Sequence, residues 1–74
     1  MTNNETLKKL RIALDLKEQD MMEIFGCASY EITKSELSGV FRKEGHKNYK
    51  ACSDELLKAF LDGYIVYKRG PKEG

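Results

Sequence analysis

No run of this sequence is apolar for more than a few residues. A helix that spans a bilayer needs about 20 predominantly apolar residues, so none is expected. The first stretch, MTNNETLKKL, lacks a basic region followed by an apolar core, so no secretory signal is expected. The expected compartment is the cytoplasm, where thiols stay reduced. There are two cysteines, Cys27 and Cys52, and one histidine, His46. The cysteines are expected to be free and buried as small hydrophobes. No two of these three residues have the short spacing of a zinc knuckle, and a fourth ligand is missing, so no metal is expected. Dinucleotide and Walker phosphate loops are absent, so no cofactor is expected. Alternating strand patterns and hairpin signals are also absent, apart from the short run YIVY at residues 64–67.

An enzyme is not expected. The chain has no nucleophile–base pair at recognisable spacing, and its acids are spread over helix surfaces. A Cys27–His46 pairing in space is conceivable, but the spacing does not support it.

With 74 residues, the chain is expected to form one domain, residues 1–74. A chain of this size buries only about 60% of its unfolded surface, so its stability margin is thin. The formal net charge of +1 is not that of a strongly basic nucleic-acid binder. Its distribution is uneven. Residues 1–33 carry a net of −2, residues 34–50 a net of +3, and the remainder is neutral.

Apolar periodicity and capping signals predict an all-α, compact four-helix domain. The first helix is expected over 4–14, with Leu7, Leu10 and Leu14 on one face and N-cap candidates at Thr2, Asn3 and Asn4. The second is expected over 18–28, with Met21, Phe25 and Ala28 inward and Met22 beside them. Asp15 and Glu18 have the spacing of a capping box for it. The third is expected over 34–42. Thr33 and Glu36 form its capping box, Ile32 and Leu37 a hydrophobic staple, and Leu37, Val40 and Phe41 face the core. Gly39, inside it, costs about 1 kcal/mol relative to alanine, and two readings stay open: it lets another backbone come close, or it is simply tolerated. A loop follows, with Gly45 as the helix stop and Tyr49 as the anchor into the core.

The fourth helix is expected over 54–68, capped by Ser53, with Cys52 and Leu57 as a second staple and Gly70-Pro71 as its stop. Leu56, Leu57, Phe60, Leu61, Tyr64 and Ile65 form a wide stripe. Tyr64, Ile65, Val66 and Tyr67 together are apolar all round the helix, so that end is expected to pack against something outside the domain.

The second and third helices fit the spacing of a helix-turn-helix over residues 23–42. Ile32 falls at the apolar turn position, Leu37 and Val40 at packing positions, and Cys27 where a small residue lets the helices approach. Two positions depart: Glu31 stands where glycine is preferred, and Gly26 where an apolar residue is. The connection is therefore expected to be looser than a tight turn. In this reading Lys34, Ser35 and Ser38 face bases, and Arg42, Lys43, Lys47 and Lys50 face phosphates.

The segments NNETLKKLRIALDL, MMEIFGCASYEITKSELSGVF and CSDELLKAFLDGYIVYKRGPKEG cover almost the whole chain. Through them it resembles one repeat of the YehS-like proteins, a bacterial family described as a domain of unknown function. The resemblance implies a small cytosolic helical domain with no known activity, and it transfers no functional residues. Members of the family look like two such repeats in tandem, whereas this chain holds one. It is expected to be a one-repeat version or a piece of a longer protein.

Two functions stay open. One is an interaction module that forms a homodimer, or pairs with a second repeat, through Tyr64, Ile65, Val66 and Tyr67. The other is a nucleic-acid-binding domain with its basic face at residues 34–50. Neither a membrane nor a small-molecule substrate is implied.

Overall fold

The computed structural model describes residues 1–69. They form four helices: α1 (Asn3–Ala13), α2 (Glu18–Cys27), α3 (Lys34–Val40) and α4 (Asp54–Arg69). The all-α expectation holds, and the helix ends move by at most two residues. The Gly70-Pro71 stop lies outside the described residues.

Local chemistry explains where three of the helices start. At α1, Thr2 Oγ1 accepts from the Glu5 N–H at 3.1 Å, and the Glu5 carboxylate accepts from the Thr2 N–H at 2.9 Å. That second bond is the main reason the Glu5 carboxyl titrates below its ordinary value. Thr33 and Glu36 make the same reciprocal pair at α3. At α4, Ser53 Oγ accepts from the Leu56 N–H.

The start of α2 differs from expectation. Asp15 does not cap it; instead Asp20 Oδ2 accepts from the Lys17 N–H at 2.9 Å. Asp15 is used by the preceding helix, where it is left-handed at φ 53°. The Asp15 N–H donates to the Ile12 carbonyl and the Leu16 N–H to that of Arg11, which is the Schellman pattern. The end of α2 repeats it. Ser29 is left-handed at φ 57°, its N–H donates to the Gly26 carbonyl, and the Tyr30 N–H donates to that of Phe25. The Tyr30 ring then packs on Phe25 with centroids 5.7 Å apart.

Glycine is the usual residue at such a position, because a left-handed L-residue costs roughly 1–2 kcal/mol. Ser29→Gly is therefore expected to raise unfolding stability by about 1 kcal/mol. Asp15→Gly should gain less, since aspartate tolerates this region better. Urea unfolding of both variants checks this, and a loss of stability in Ser29→Gly would refute it.

The core comprises Leu7, Met21, Ile24, Phe25, Ile32, Leu37, Val40, Cys52, Leu56 and Phe60. Its spine is α2 packed antiparallel on α4. A Cβ on Gly63 would overlap the Ile24 carbonyl oxygen, so this glycine lets the two backbones meet. Further along the pair, the Tyr67 hydroxyl donates to Asp20 Oδ1 at 3.2 Å. Burial first, and then the Asp20 charge, hold that hydroxyl protonated above its ordinary range. Phe25, Phe60, Tyr64 and Tyr67 form a ladder of rings with successive centroids about 6 Å apart.

Several sequence expectations are corrected here. Cys27 is exposed; Cys52 is buried, and both are free thiols. Burial pushes the Cys52 thiol up, and Asp54 adds to it. Ile24, not Ala28, joins Met21 and Phe25 as the third fully buried side chain of α2. α3 ends at Val40, well before Gly45, which lies in a later turn at φ 99°. The loop is tied down by asparagines, while Tyr49, expected as its anchor, is half-buried but is not among the residues packed on the core. Asn4 Nδ2 donates to the Val40 and Lys50 carbonyls at 2.9 and 2.8 Å, and Asn4 Oδ1 accepts from the Cys52 N–H at 2.8 Å. Asn3 Nδ2 donates to the Cys52 carbonyl and to Asp54 Oδ1.

Candidate functional site

Two surfaces follow from this arrangement. The first lies on α3 and the segment that crosses it. Gly39 is buried, and a Cβ there would sit 2.7 Å from the Asn48 carbonyl oxygen and 3.1 Å from Lys50 Cβ. The loop can therefore lie directly on the helix, and the Lys50 N–H donates to the Gly39 carbonyl at 3.0 Å. Of the two readings of Gly39, the close approach is the one the structure shows. It creates an open concavity of about 470 Å³ lined by Lys34, Ser35, Glu36, Ser38, Arg42, Asn48 and Lys50. Five of the seven residues named for the basic face thus converge. Lys43 lines a neighbouring concavity with Thr2, Glu5, Lys8 and Tyr49. Lys47 is exposed and lines neither of these two concavities. The opposing charge is Glu36, whose Oε2 lies 4.0 Å from Lys50 Nζ with both side chains half-exposed.

The helix-turn-helix spacing leads to a different arrangement. α2 has α4 as its main partner, and Cys27 faces a shallow concavity beside Ala59, Asp62 and Val66 of α4. The left-handed residue of the α2–α3 connection is Ser29, two positions before Glu31. The connection is long, as Glu31 and Gly26 led one to expect.

The second surface is the outer side of α4. Tyr64 and Tyr67 turn inward onto the aromatic ladder, so residues 64–67 are not apolar surface all round. Ile65 and Val66 are 52% and 40% exposed, and Leu61, expected inward, is 46% exposed. One helical turn separates Leu61 from Ile65, which places them on one side. Val66 lies on the flank toward Cys27 and Ala28. The Lys58–Asp62 ion pair, 2.7 Å long, occupies the same flank.

Among the described residues, no group of three or more His, Cys, Asp or Glu side chains is placed to hold a metal ion. His46 Nδ1 accepts from the Asn48 N–H at 3.0 Å in the exposed loop. No helix among the described residues is long and apolar enough to cross a membrane.

Against known families, the model described as "Protein of unknown function (DUF1456)" matches residues 3–70. The chain belongs to the DUF1456 family. Among curated proteins it is similar to the uncharacterized protein YehS of Escherichia coli (strain K12), 38% identical over 74 residues. The match covers 100% of this chain and 47% of that relative. The chain thus spans about half the length of the curated relative it matches, and it fits one repeat of a YehS-like protein. No solved structure matches the chain significantly. Membership of DUF1456 brings no assigned residue, so the two surfaces rest on their own geometry.

Proposed function

We propose that this DUF1456 domain is a non-catalytic, cytoplasmic association module that pairs with a second copy of its own fold through the outer side of α4. The observation that carries the reading is the exposure of Leu61 and Ile65 one turn apart, beside the partly buried Leu57. A lone surface aliphatic needs no explanation. Two of them on one side, continuous with the rim of the core, make a stripe that a partner helix can cover.

Length points to the occupant. A relative about twice as long as this chain has room for one further unit of the same size. For the isolated chain the equivalent contact is an isologous dimer, each α4 meeting its own copy.

Ile65→Asp is expected to convert a dimer into a folded monomer, because Ile65 is half-exposed and outside the core. Val66→Asp, on the flank, should weaken the dimer less. Sedimentation velocity across micromolar concentrations, with circular dichroism for folding, is the test. A wild-type chain that sediments as a compact monomer throughout would overturn the reading. A second reading, a nucleic-acid-binding face that does not exclude the first, draws its support from the convergence of Lys34, Arg42 and Lys50 around one concavity beside α3.

A further inference from the structure

We propose that the concavity between α3 and residues 48–50 binds the phosphodiester backbone of nucleic acid, without reading its sequence. This goes beyond the association module and is independent of it.

Three cations, Lys34 on α3 and Arg42 and Lys50 in the segment after it, line one open concavity, and a single carboxylate, Glu36, opposes them. The floor is built and held. Gly39 leaves room for the crossing segment, the Lys50 N–H is bonded to the Gly39 carbonyl, and the Lys50 carbonyl accepts from Asn4 Nδ2. The backbone that carries one of the three cations is therefore fixed against α3.

The lining also selects the ligand chemistry. Ser35, Ser38 and Asn48 add polar side chains beside the cations, and no aromatic ring lines the concavity. A site that recognises bases in a single strand uses aromatic platforms for stacking. Cations with hydroxyl and amide donors, and no such platform, contact phosphate and sugar. Seven residues of α3, with α2 committed to α4, do not reproduce the docking of a recognition helix in the major groove. Lys43 and Lys47 stand exposed on the same loop and, with Glu44 between them, add a net charge of +1 to the attraction at long range.

A substitution at Glu36 separates a binding site from a solvated face. Its carboxylate serves the α3 cap through the Thr33 N–H and meets Lys50 only at 4.0 Å. Such an exposed, long pair is weak, so an incoming phosphate competes with it readily. Glutamine can keep the capping role, because both Glu and Gln serve in a capping box. Glu36→Gln therefore removes the opposing charge and leaves the helix start in place.

The test is fluorescence anisotropy of a labelled mixed-sequence DNA duplex and a mixed-sequence single-stranded RNA, titrated with the full chain at several salt concentrations. Micromolar binding at low salt is expected, with similar affinity for different sequences. For the duplex, log K against log salt should fall with a slope of about −3, from three phosphate contacts. Lys34→Ala and Arg42→Ala, both at exposed positions, should each reduce that slope by about one. Glu36→Gln should tighten binding several-fold with an unchanged circular dichroism spectrum, a gain that structural damage would not produce. Absence of binding at low salt overturns the proposal. So does a slope that none of these variants moves, which would place the contact elsewhere. Full displacement of the duplex by sub-millimolar pyrophosphate would reassign the concavity to small phosphate compounds and overturn the nucleic-acid assignment.

Discussion

Gly63→Ala is expected to cost at least about 3 kcal/mol of unfolding stability, whereas Gly26→Ala is expected to gain roughly 1 kcal/mol. The two substitutions are chemically identical and both lie within helices. A methyl group normally favours a helix over glycine by about 1 kcal/mol, through the backbone entropy that glycine loses on folding. At Gly26 nothing lies within 4 Å of the new Cβ, so that gain is kept. At Gly63 the new atom would overlap the Ile24 carbonyl oxygen, with the Ile24 carbonyl carbon at 3.0 Å and its Cγ2 at 3.3 Å. Backbone cannot rotate away as a flexible side chain can. Relief requires α2 and α4 to move apart, which disturbs Phe25 against Phe60 and the Tyr67–Asp20 hydrogen bond. Overpacking costs typically 1–3 kcal/mol, and this position lies at or beyond the upper end because both clashing groups belong to the main helix pair. In a domain this small, a loss of that size removes much of the total stability. Urea unfolding of the two variants provides the comparison. A Gly63→Ala protein as stable as wild type would mean that α2 and α4 do not pack this closely.

Asn4→Ala is expected to cost about 2–3 kcal/mol and to release the segment over 48–52. Asn4 makes three hydrogen bonds to backbone, two as donor and one as acceptor. Each contributes on the order of 1 kcal/mol, and the partly buried partners left behind add a desolvation cost. Asn4→Asp should do no better. It keeps an acceptor for the Cys52 N–H but turns carboxylate oxygen toward the carbonyls of Val40 and Lys50. Asn3→Ala should cost less, about 1 kcal/mol, because its stronger bond is the exposed one to Asp54. Hydrogen exchange distinguishes a local from a global effect. In Asn4→Ala the Lys50 and Cys52 amides should lose protection well before those of α2. If they keep it, the loop is held by other contacts.

Most of the fold was legible in the sequence, because its signals were local. Thr33 with Glu36, and Ser53 ahead of Asp54 and Glu55, are satisfied within one turn, so they read directly as helix starts. The leucines of α1 and the Met21–Phe25 spacing mark faces by period alone. The misreadings occurred where one residue could serve either of two neighbours. Asp15 is a good cap for the helix after it, yet its left-handed conformation closes the helix before it. Gly45 is a plausible stop, but α3 ends earlier, at Val40.

The candidate sites were legible only in part. The basic excess at residues 34–50 is a count, and counting shows neither which cations meet nor that Lys47 stands apart from them. Asn3 and Asn4 read as caps, while their real partners lie 36 to 51 residues away. Leu61 looked like core and Tyr67 like surface, because period alone does not say where the edge of a neighbouring helix falls.

By itself, then, the sequence determined four helices and most of their core faces, since hydrogen bonds and apolar spacing within a few residues suffice for that. Only the tertiary structure decided that α2 pairs with α4 across Gly63 and that Gly39 and Asn4 seat the loop on α3. It alone also decided that Tyr64 and Tyr67 turn inward while Leu61 and Ile65 stay in solvent. Those outcomes depend on which backbones can touch, and contact between distant segments is a property of their packing that no local pattern carries.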